Sequence, residues 1–224
     1  GSIPEFLLLH DLAAFLDDDD PEHGSRDPRW SEVREHVRPK LIGLLEPSRW
    51  RNKVLAAITE DGEDFWTASE AGRRLGIDVW DAHFRRLQRG EDEWYAVMQT
   101  DDRSRVHQVV HYAEATLPLT DIASGPAEEL GLGPTFAAHS ALEFVLQDLR
   151  RFPGLGGRLV LVGLRSPVVR GRNMAGKVLE AWPRSAWPEG AEEMLRAALE
   201  AEPAEATREL LASVMERASE PDAS

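Results

Sequence analysis

Three side chains with metal-binding chemistry follow one another at helical spacing in the middle of the chain. His107 and His111 are one turn apart and Glu114 is one turn further on the same flank, so a helix would present all three together. Two histidines and a carboxylate are the ligands of a facial iron site. Gln108 stands where a zinc metalloprotease motif needs its glutamate. Since a single helix rarely leaves coordination sites open, a polar helix flank is favoured and metal binding is the alternative.

A polar pattern is repeated at residues 49–52, 105–108 and 170–173. Each copy has arginine first, arginine or histidine third, and asparagine or glutamine fourth. Apolar residues continue the register, and in the third copy they are Val168, Gly171, Met174, Ala175, Val178 and Trp182. This spacing puts them on one side of a helix. Four repeated helices are therefore predicted, near 47–59, 103–116, 167–182 and, as a weaker last copy, 204–217.

An arginine flanked by apolar residues, placed after a turn and before a helix rich in alanine and valine, resembles the second helix of a HEAT-type repeat. The helix that contains Arg170 carries the resemblance best. The resemblance implies an all-α fold, a short irregular α-α superhelix of HEAT/armadillo-like helix pairs. More loosely, the chain resembles bacterial proteins of this solenoid type, some of which carry a limonene hydroxylase label.

The residues do not support that hydroxylase label. The chain has no cysteine, hence no thiolate ligand for a P450 haem, no disulfide and no cysteine nucleophile. No histidine lies three residues after a glutamate, as a di-iron carboxylate site requires, and no flavin fingerprint is present. The sequence therefore predicts no cofactor.

The repeated polar residues are predicted to form two rows with different roles. The first row should brace adjacent repeats by bridging carboxylates and carbonyls, and it consists of Arg49, Arg105 and Arg170. The second row would line the concave face of a superhelix, and it consists of Arg51, Asn52, His107, Gln108, Arg172, Asn173 and Arg208. A cationic groove of this kind suits an acidic peptide, a phosphate or a nucleic-acid backbone, although the same arginines could instead brace the repeats.

The predicted function is a non-catalytic α-solenoid module that binds a protein or peptide through its concave face. One alternative is a HEAT-type nucleic-acid-binding or DNA glycosylase-like enzyme. Its carboxylate and aromatic groups would come from Asp101, Asp102, Trp50 and Trp94. Another is an immunity-type inhibitor whose acidic surface blocks a toxin's basic active site. The net charge of -14 opposes binding to nucleic acid.

Residues 67–88 have the pattern of a helix-turn-helix, a class that reads DNA with its second helix. The turn falls at Gly76, and the second helix would carry Arg85, Arg86 and Arg89. That helix also has a broad apolar side, and the chain is acidic. A plain helical hairpin is therefore favoured over a DNA-reading one.

The length of 224 residues and the 42% hydrophobic content predict one solenoid domain over 3–218. Residues 1–2 are typical of a cloning remnant, and 219–224 are predicted to be a disordered tail. The lack of cysteine fits a cytoplasmic protein, and no apolar run is long enough for a membrane span. A monomer or weak homodimer is expected.

Local signals predict where helices begin and are interrupted. Pro39 should break or kink the first long helix. The glycines and prolines in 117–134 indicate an irregular insertion. The apolar run 158–164 is interpreted as a buried first helix of a repeat. Ser166 and Pro167 are predicted to be the N-cap and first residue of the helix that follows.

Overall fold

A computed structural model of the protein describes residues 1–17 and 28–218. These ranges contain thirteen α-helices and two 3-10 turns. They are α1 (Ile3–Asp17), α2 (Pro28–Leu44), α3 (Pro47–Glu60), α4 (Phe65–Arg74), α5 (Trp80–Gln88), α6 (Trp94–Met98), α7 (Arg103–Thr116), α8 (Leu119–Ile122), the turn Pro134–Phe136, α9 (Ala137–Leu149), α10 (Gly157–Leu164), α11 (Val169–Ala181), the turn Arg184–Ala186, α12 (Ala191–Ala201) and α13 (Glu205–Ala218). The prediction of an all-α fold is confirmed. The predicted tail at 219–224 lies outside the described residues.

The chain forms two compact units, Gly1–Ala82 and His83–Ser224. In the first unit α1 packs against α2, α3 and α4, and α3 packs against α4. Trp50, Val54 and Ile58 recur every four residues and give α3 one buried face. Pro39 lies inside α2, which continues to Leu44, so this proline does not end the helix. The predicted single solenoid over 3–218 stays a prediction.

The helices of the second unit pack in an alternating order. α10 packs against α11, against α8 and α12, and also against α9, whereas α11 packs against α9 and α13. This order is what stacked helix pairs produce, because each helix then meets its counterparts in the neighbouring pairs. α7 packs against α6, α9 and α10. Its environment therefore differs from that of α11, although the repeated pattern predicts equivalent places for the two helices.

The core face of α11 is the one the sequence predicts. Its predicted apolar residues are buried except Met174, which is half-buried. The helix begins at Val169 rather than at Pro167. Val168 is extended and forms a parallel bridge with Glu129, and the Ser166 Oγ accepts a hydrogen bond from the Val168 N–H. The predicted N-cap therefore lies in the turn before the helix.

The run 158–164 is helical, as predicted, and forms most of α10, with Leu159, Val160, Gly163 and Leu164 buried and Arg158 exposed. Gly163 allows α10 to pack closely, because a Cβ there would lie 2.7 Å from Leu146 and 2.9 Å from the Ala175 Cβ. The predicted insertion 117–134 contains the short helix α8 and is otherwise irregular as far as Gly133.

Candidate functional site

A buried carboxylate lies where α9 packs against α11. Glu143 is surrounded in sequence by core residues of α9, and its side chain is only 7% exposed. Within the described ranges it has one ion pair, with the Arg170 Nε at 3.5 Å, and no hydrogen bond. Burial raises the pKa of the Glu143 carboxyl, and the charge of Arg170 partly opposes that effect. Glu143 is thus a buried acid with unused hydrogen-bond acceptors.

Arg170 and two aromatic rings form the surface beside this carboxylate. The Arg170 side chain is half-exposed, and its guanidinium carbon lies 6.0 Å from the centroid of the Phe144 ring. Tyr95 of α6 packs edge-on against Phe144, with 5.8 Å between the centroids, and remains 53% exposed. We name Tyr95, Glu143, Phe144 and Arg170 the α9–α11 patch. It combines two aromatic rings, a cation and a buried acid.

His139 and Ser166 meet next to the patch. The His139 Nδ1 lies 3.2 Å from the Ser166 Oγ, and burial lowers the pKa of this histidine. A serine and a histidine in contact could form a nucleophile and its base. However, Ser166 is buried, and its Oγ already accepts the Val168 N–H at 3.1 Å. This pair therefore stabilises the turn before α11 rather than presenting a nucleophile.

The prediction that Arg172 lines a groove is wrong. Its side chain is fully buried and forms a two-point ion pair with Glu202, Nε to Oε2 at 2.5 Å and Nη2 to Oε1 at 2.6 Å. The guanidinium also donates to the carbonyls of Ser166, Pro167 and Ala127. It points away from solvent because the α12–α13 turn and the insertion both cover this flank of α11. Arg172 is a structural brace.

The three arginines of the predicted bracing row have three different environments. Arg170 meets a carboxylate, Glu143, as expected of a brace. Arg105 lies 4.0 Å from Asp102 at the start of its own helix. Arg49 is exposed and has no ion pair with any described residue. The shared lettering therefore does not produce a uniform ladder.

The other predicted groove residues have different local environments within their own units. Arg51 and Asn52 are exposed on α3 in the first unit, and His107 and Gln108 are exposed on α7. Asn173 is half-buried on α11. Arg208 donates to the Glu202 carbonyl at 2.6 and 3.1 Å, so it stabilises the α12–α13 turn. A continuous cationic groove stays a prediction.

The weak metal candidate does not assemble. His107 and His111 are exposed on α7, while Glu114 is half-buried. No group of three or more such side chains in the described ranges has an arrangement that could hold a metal ion. The interpretation of His107, His111 and Glu114 as a polar flank of α7 stays a prediction.

The residues considered for a nucleic-acid enzyme have local structural contacts. Asp102 accepts the Ser104 N–H as the N-cap of α7, and Asp101 pairs with Arg151. Trp50 is buried in the core of the first unit, whereas the Trp94 ring packs near Tyr112 in the second. A shared groove of these side chains stays a prediction.

The arginines of the helix-turn-helix candidate are largely engaged. Arg86 forms ion pairs with Glu91 and Glu93, and Arg89 pairs with Glu91. The Glu93 Oε2 also lies 2.8 Å from the His83 Nδ1, and both side chains are buried. Since Arg86 on α5 and Arg89 just after its end both face carboxylates, this part of the chain has little free charge for a DNA backbone.

Of the four residues in the α9–α11 patch, only Arg170 was singled out from the sequence, and then as a brace. One signal was available, because His139 and Glu143 are one turn apart and so share a flank of a helix with a strong apolar face. Nothing in the spacing indicates that Tyr95, which lies far away in sequence, packs against Phe144. Glu202 also could not be predicted as the partner of Arg172, because helical periodicity within α11 does not show which residue of another segment will contact it.

No helix in the described ranges combines the length and apolar character that a membrane span requires. Comparisons of the chain with protein-family models, curated proteins and solved structures give no match. The function must therefore be argued from the geometry of the α9–α11 patch.

Proposed function

We propose that this protein is a non-catalytic α-helical module, built of HEAT-like solenoid pairs, that binds a protein or peptide segment at the α9–α11 patch. The observation that carries the proposal is Glu143, a nearly buried carboxyl with no hydrogen bond to any described residue. Its oxygens are not among the fully buried unpaired atoms of the described residues, so the carboxylate keeps access to the surface, where a ligand can supply a hydrogen-bond donor. A peptide N–H is such a donor.

Arg170 gives the same site a complementary donor. It contacts Glu143 only through a 3.5 Å ion pair, and half of its side chain is exposed. A guanidinium has five N–H donors, so several remain for carbonyls or carboxylates of a ligand. A polypeptide segment can satisfy the acid with an N–H and the arginine with a C=O.

The aromatic rings supply the apolar part of the contact. Tyr95 keeps half of its surface exposed while its ring is fixed against Phe144. Tyrosine and arginine are enriched among the residues that dominate protein interfaces, because they offer a large contact area with directed hydrogen bonds. The alternating packing of α8 to α13 supports the solenoid part of the proposal.

Site-specific photocrosslinking tests this function. The full chain with p-benzoylphenylalanine at Tyr95 is irradiated in an extract of the source cells, and Trp66, a similarly exposed aromatic residue of the first unit, is replaced in the control. A protein adduct at Tyr95 that is absent at Trp66 is expected. Purified partner should then bind Tyr95→Ala and Arg170→Ala at least about tenfold more weakly than the parent. Equal adducts at both positions would contradict the proposal.

A nucleic-acid enzyme is the second candidate. Glu143 with its raised pKa, placed beside an exposed tyrosine, is the combination of acid and aromatic group that such an enzyme needs. The net charge of -14 opposes it. Retention of the protein on heparin, lost in Arg170→Ala, would favour this candidate. Flow-through would favour protein binding, including an acidic immunity-type inhibitor.

A further inference from the structure

Two leucines project from the irregular insertion before α9. Leu130 is 75% exposed and Leu132 is 74% exposed, the highest values for any large hydrophobic residue in the described ranges. An exposed leucine is unremarkable by itself, but two on one short segment place a sizeable apolar surface in water. Such a surface can bind a partner with little loss of entropy only if the backbone of the segment is fixed.

Hydrogen bonds fix the segment at several points on the N-terminal side of the leucines. The Gly125 N–H donates to the Arg165 carbonyl at 2.8 Å. Glu129 exchanges backbone hydrogen bonds with the turn before α11, donating to Pro167 and accepting from Val169. The buried Arg172 guanidinium donates to the Ala127 carbonyl at 2.8 Å. The insertion is thus tied to the fully buried Arg172–Glu202 ion pair.

Gly131, between the two leucines, fixes the chain a further time. Its φ is +72°, a left-handed conformation that glycine adopts without strain, and a Cβ there would lie 2.7 Å from the Val168 Cγ1. The backbone at Gly131 therefore packs directly on the core residue Val168, while the two neighbouring leucines remain exposed. Because the conformation is already fixed, little ordering entropy is lost when the leucines bind.

The charges around the leucines restrict what can cover them. Glu128 and Glu129, both exposed, immediately precede Leu130. A second copy of the chain would bring these carboxylates together, and an anionic membrane would also repel them. A protein surface with lysine or arginine around an apolar groove would pair with the glutamates as it receives the leucines.

We infer that residues 128–132 are a preformed docking loop, with Leu130 and Leu132 as anchors for an apolar groove rimmed by basic residues on a protein partner. The inference rests on the proposed function and deepens it by stating the chemistry of that partner. The loop is joined to the start of α11, which carries Arg170, so one partner can contact both the loop and the α9–α11 patch.

The test uses the full chain with p-benzoylphenylalanine at Leu132, irradiated in an extract of the source cells. The expected result is a protein adduct whose crosslinked residue lies in an apolar surface flanked by lysine or arginine. That protein, once purified, should bind a Leu130→Ser, Leu132→Ser variant at least about tenfold more weakly. A Glu128→Lys, Glu129→Lys variant should also bind more weakly, and its affinity should depend less on salt.

Leu8→Ser is the matched control, because Leu8 is almost as exposed as the two leucines but lies on α1 in the first unit. This variant should bind the purified protein with the affinity of the parent. Failure to obtain a protein adduct, an adduct with lipid, or unchanged affinity of the loop variants would overturn the inference. The two proposals are separable. Loss of binding only in Tyr95→Ala and Arg170→Ala would retain the patch and remove the loop. Loss of binding only in the loop variants would retain the loop and remove the patch.

Discussion

Arg172 and Glu202 form an ion pair from which water is excluded on both sides, with each side chain at 0% exposure. The pair joins α11 to the turn before α13, and three further hydrogen bonds from the guanidinium reach the carbonyls of two other segments. Every charged atom therefore has a protein partner. A pair of this kind is fully compensated when intact but leaves an uncompensated buried charge when one partner is removed.

Arg172→Ala should lower the free energy of unfolding by about 3–5 kcal/mol, because the Glu202 carboxylate would remain buried without its cation. Denaturant melts followed by circular dichroism measure this change. The double variant Arg172→Met, Glu202→Leu removes both charges and should recover much of the loss. If Arg172→Ala had the stability of the parent, the pair would not be buried in solution.

Arg170→Ala should lower the free energy of unfolding by about 1 kcal/mol or less. The Arg170 side chain is half-exposed, and its Nε lies 3.5 Å from the Glu143 carboxylate. The same melts give the comparison. Since Glu143 would lose its only ion-pair partner in the described ranges, the loss should be larger near pH 8 than near pH 4. A cost equal to that of Arg172→Ala would restore Arg170 as the main brace of α11.

The contrast between these two arginines shows what the sequence could and could not predict. The core face of α11 follows from its own apolar periodicity, and that part of the prediction is confirmed. Arg172 lies on the flank beside this face, and whether that flank is exposed or buried depends on which other segments of the chain pack against it. The groups that cover it, Glu202 and the carbonyl of Ala127, come from distant segments with no periodic relation to α11.

The same reasoning explains why Glu143 was missed. Helical periodicity selects apolar residues, and a carboxylate next to Leu142 is assigned by default to the exposed side. Its burial comes from the packing of α11 against α9, which brings the Cβ position of Gly171 to an ordinary contact distance of 3.8 Å from the Glu143 Oε1. The repeated arginine pattern did predict a carboxylate partner for Arg170, but only the packing of α9 identifies it.

Glu143→Gln should stabilise the protein at neutral pH. Burial raises the pKa of the carboxyl in the folded state above its ordinary value of 4.5, so ionisation disfavours folding. The parent therefore has its full stability below the unfolded pKa and loses part of it as pH rises through the folded pKa. The amide cannot ionise, so the variant should be more stable than the parent at about pH 8 and equally stable at about pH 4.

Unfolding free energies measured across this pH range test that expectation, with the exposed Glu209→Gln as the control that should show no such trend. If a ligand donates a hydrogen bond to Glu143, the stabilised variant should also bind it more weakly. A gain in stability that does not depend on pH would show that the carboxyl is not desolvated.

Gly163→Ala should destabilise the second unit by about 1–3 kcal/mol, because the added methyl group would press on Leu146 and Ala175. This loss should exceed the helix-propensity gain of about 1 kcal/mol that alanine offers. Gly43→Ala in α2 is the matched control, since no heavy atom lies within 4 Å of its Cβ position in the described ranges. Thermal melts of the two variants should therefore shift in opposite directions.

Thr207→Val should raise the free energy of unfolding by about 1 kcal/mol. Thr207 is buried on α13, and its Oγ1 has no hydrogen-bond partner among the described residues, so the hydroxyl is desolvated without compensation. Valine has nearly the same shape and removes that polar atom. Thr116→Val is the control, because the exposed Thr116 Oγ1 donates to the Tyr112 carbonyl at 2.8 Å, and its stability should stay within about 0.5 kcal/mol of the parent. A loss of stability in Thr207→Val would mean that the hydroxyl has a partner in solution, such as a buried water molecule.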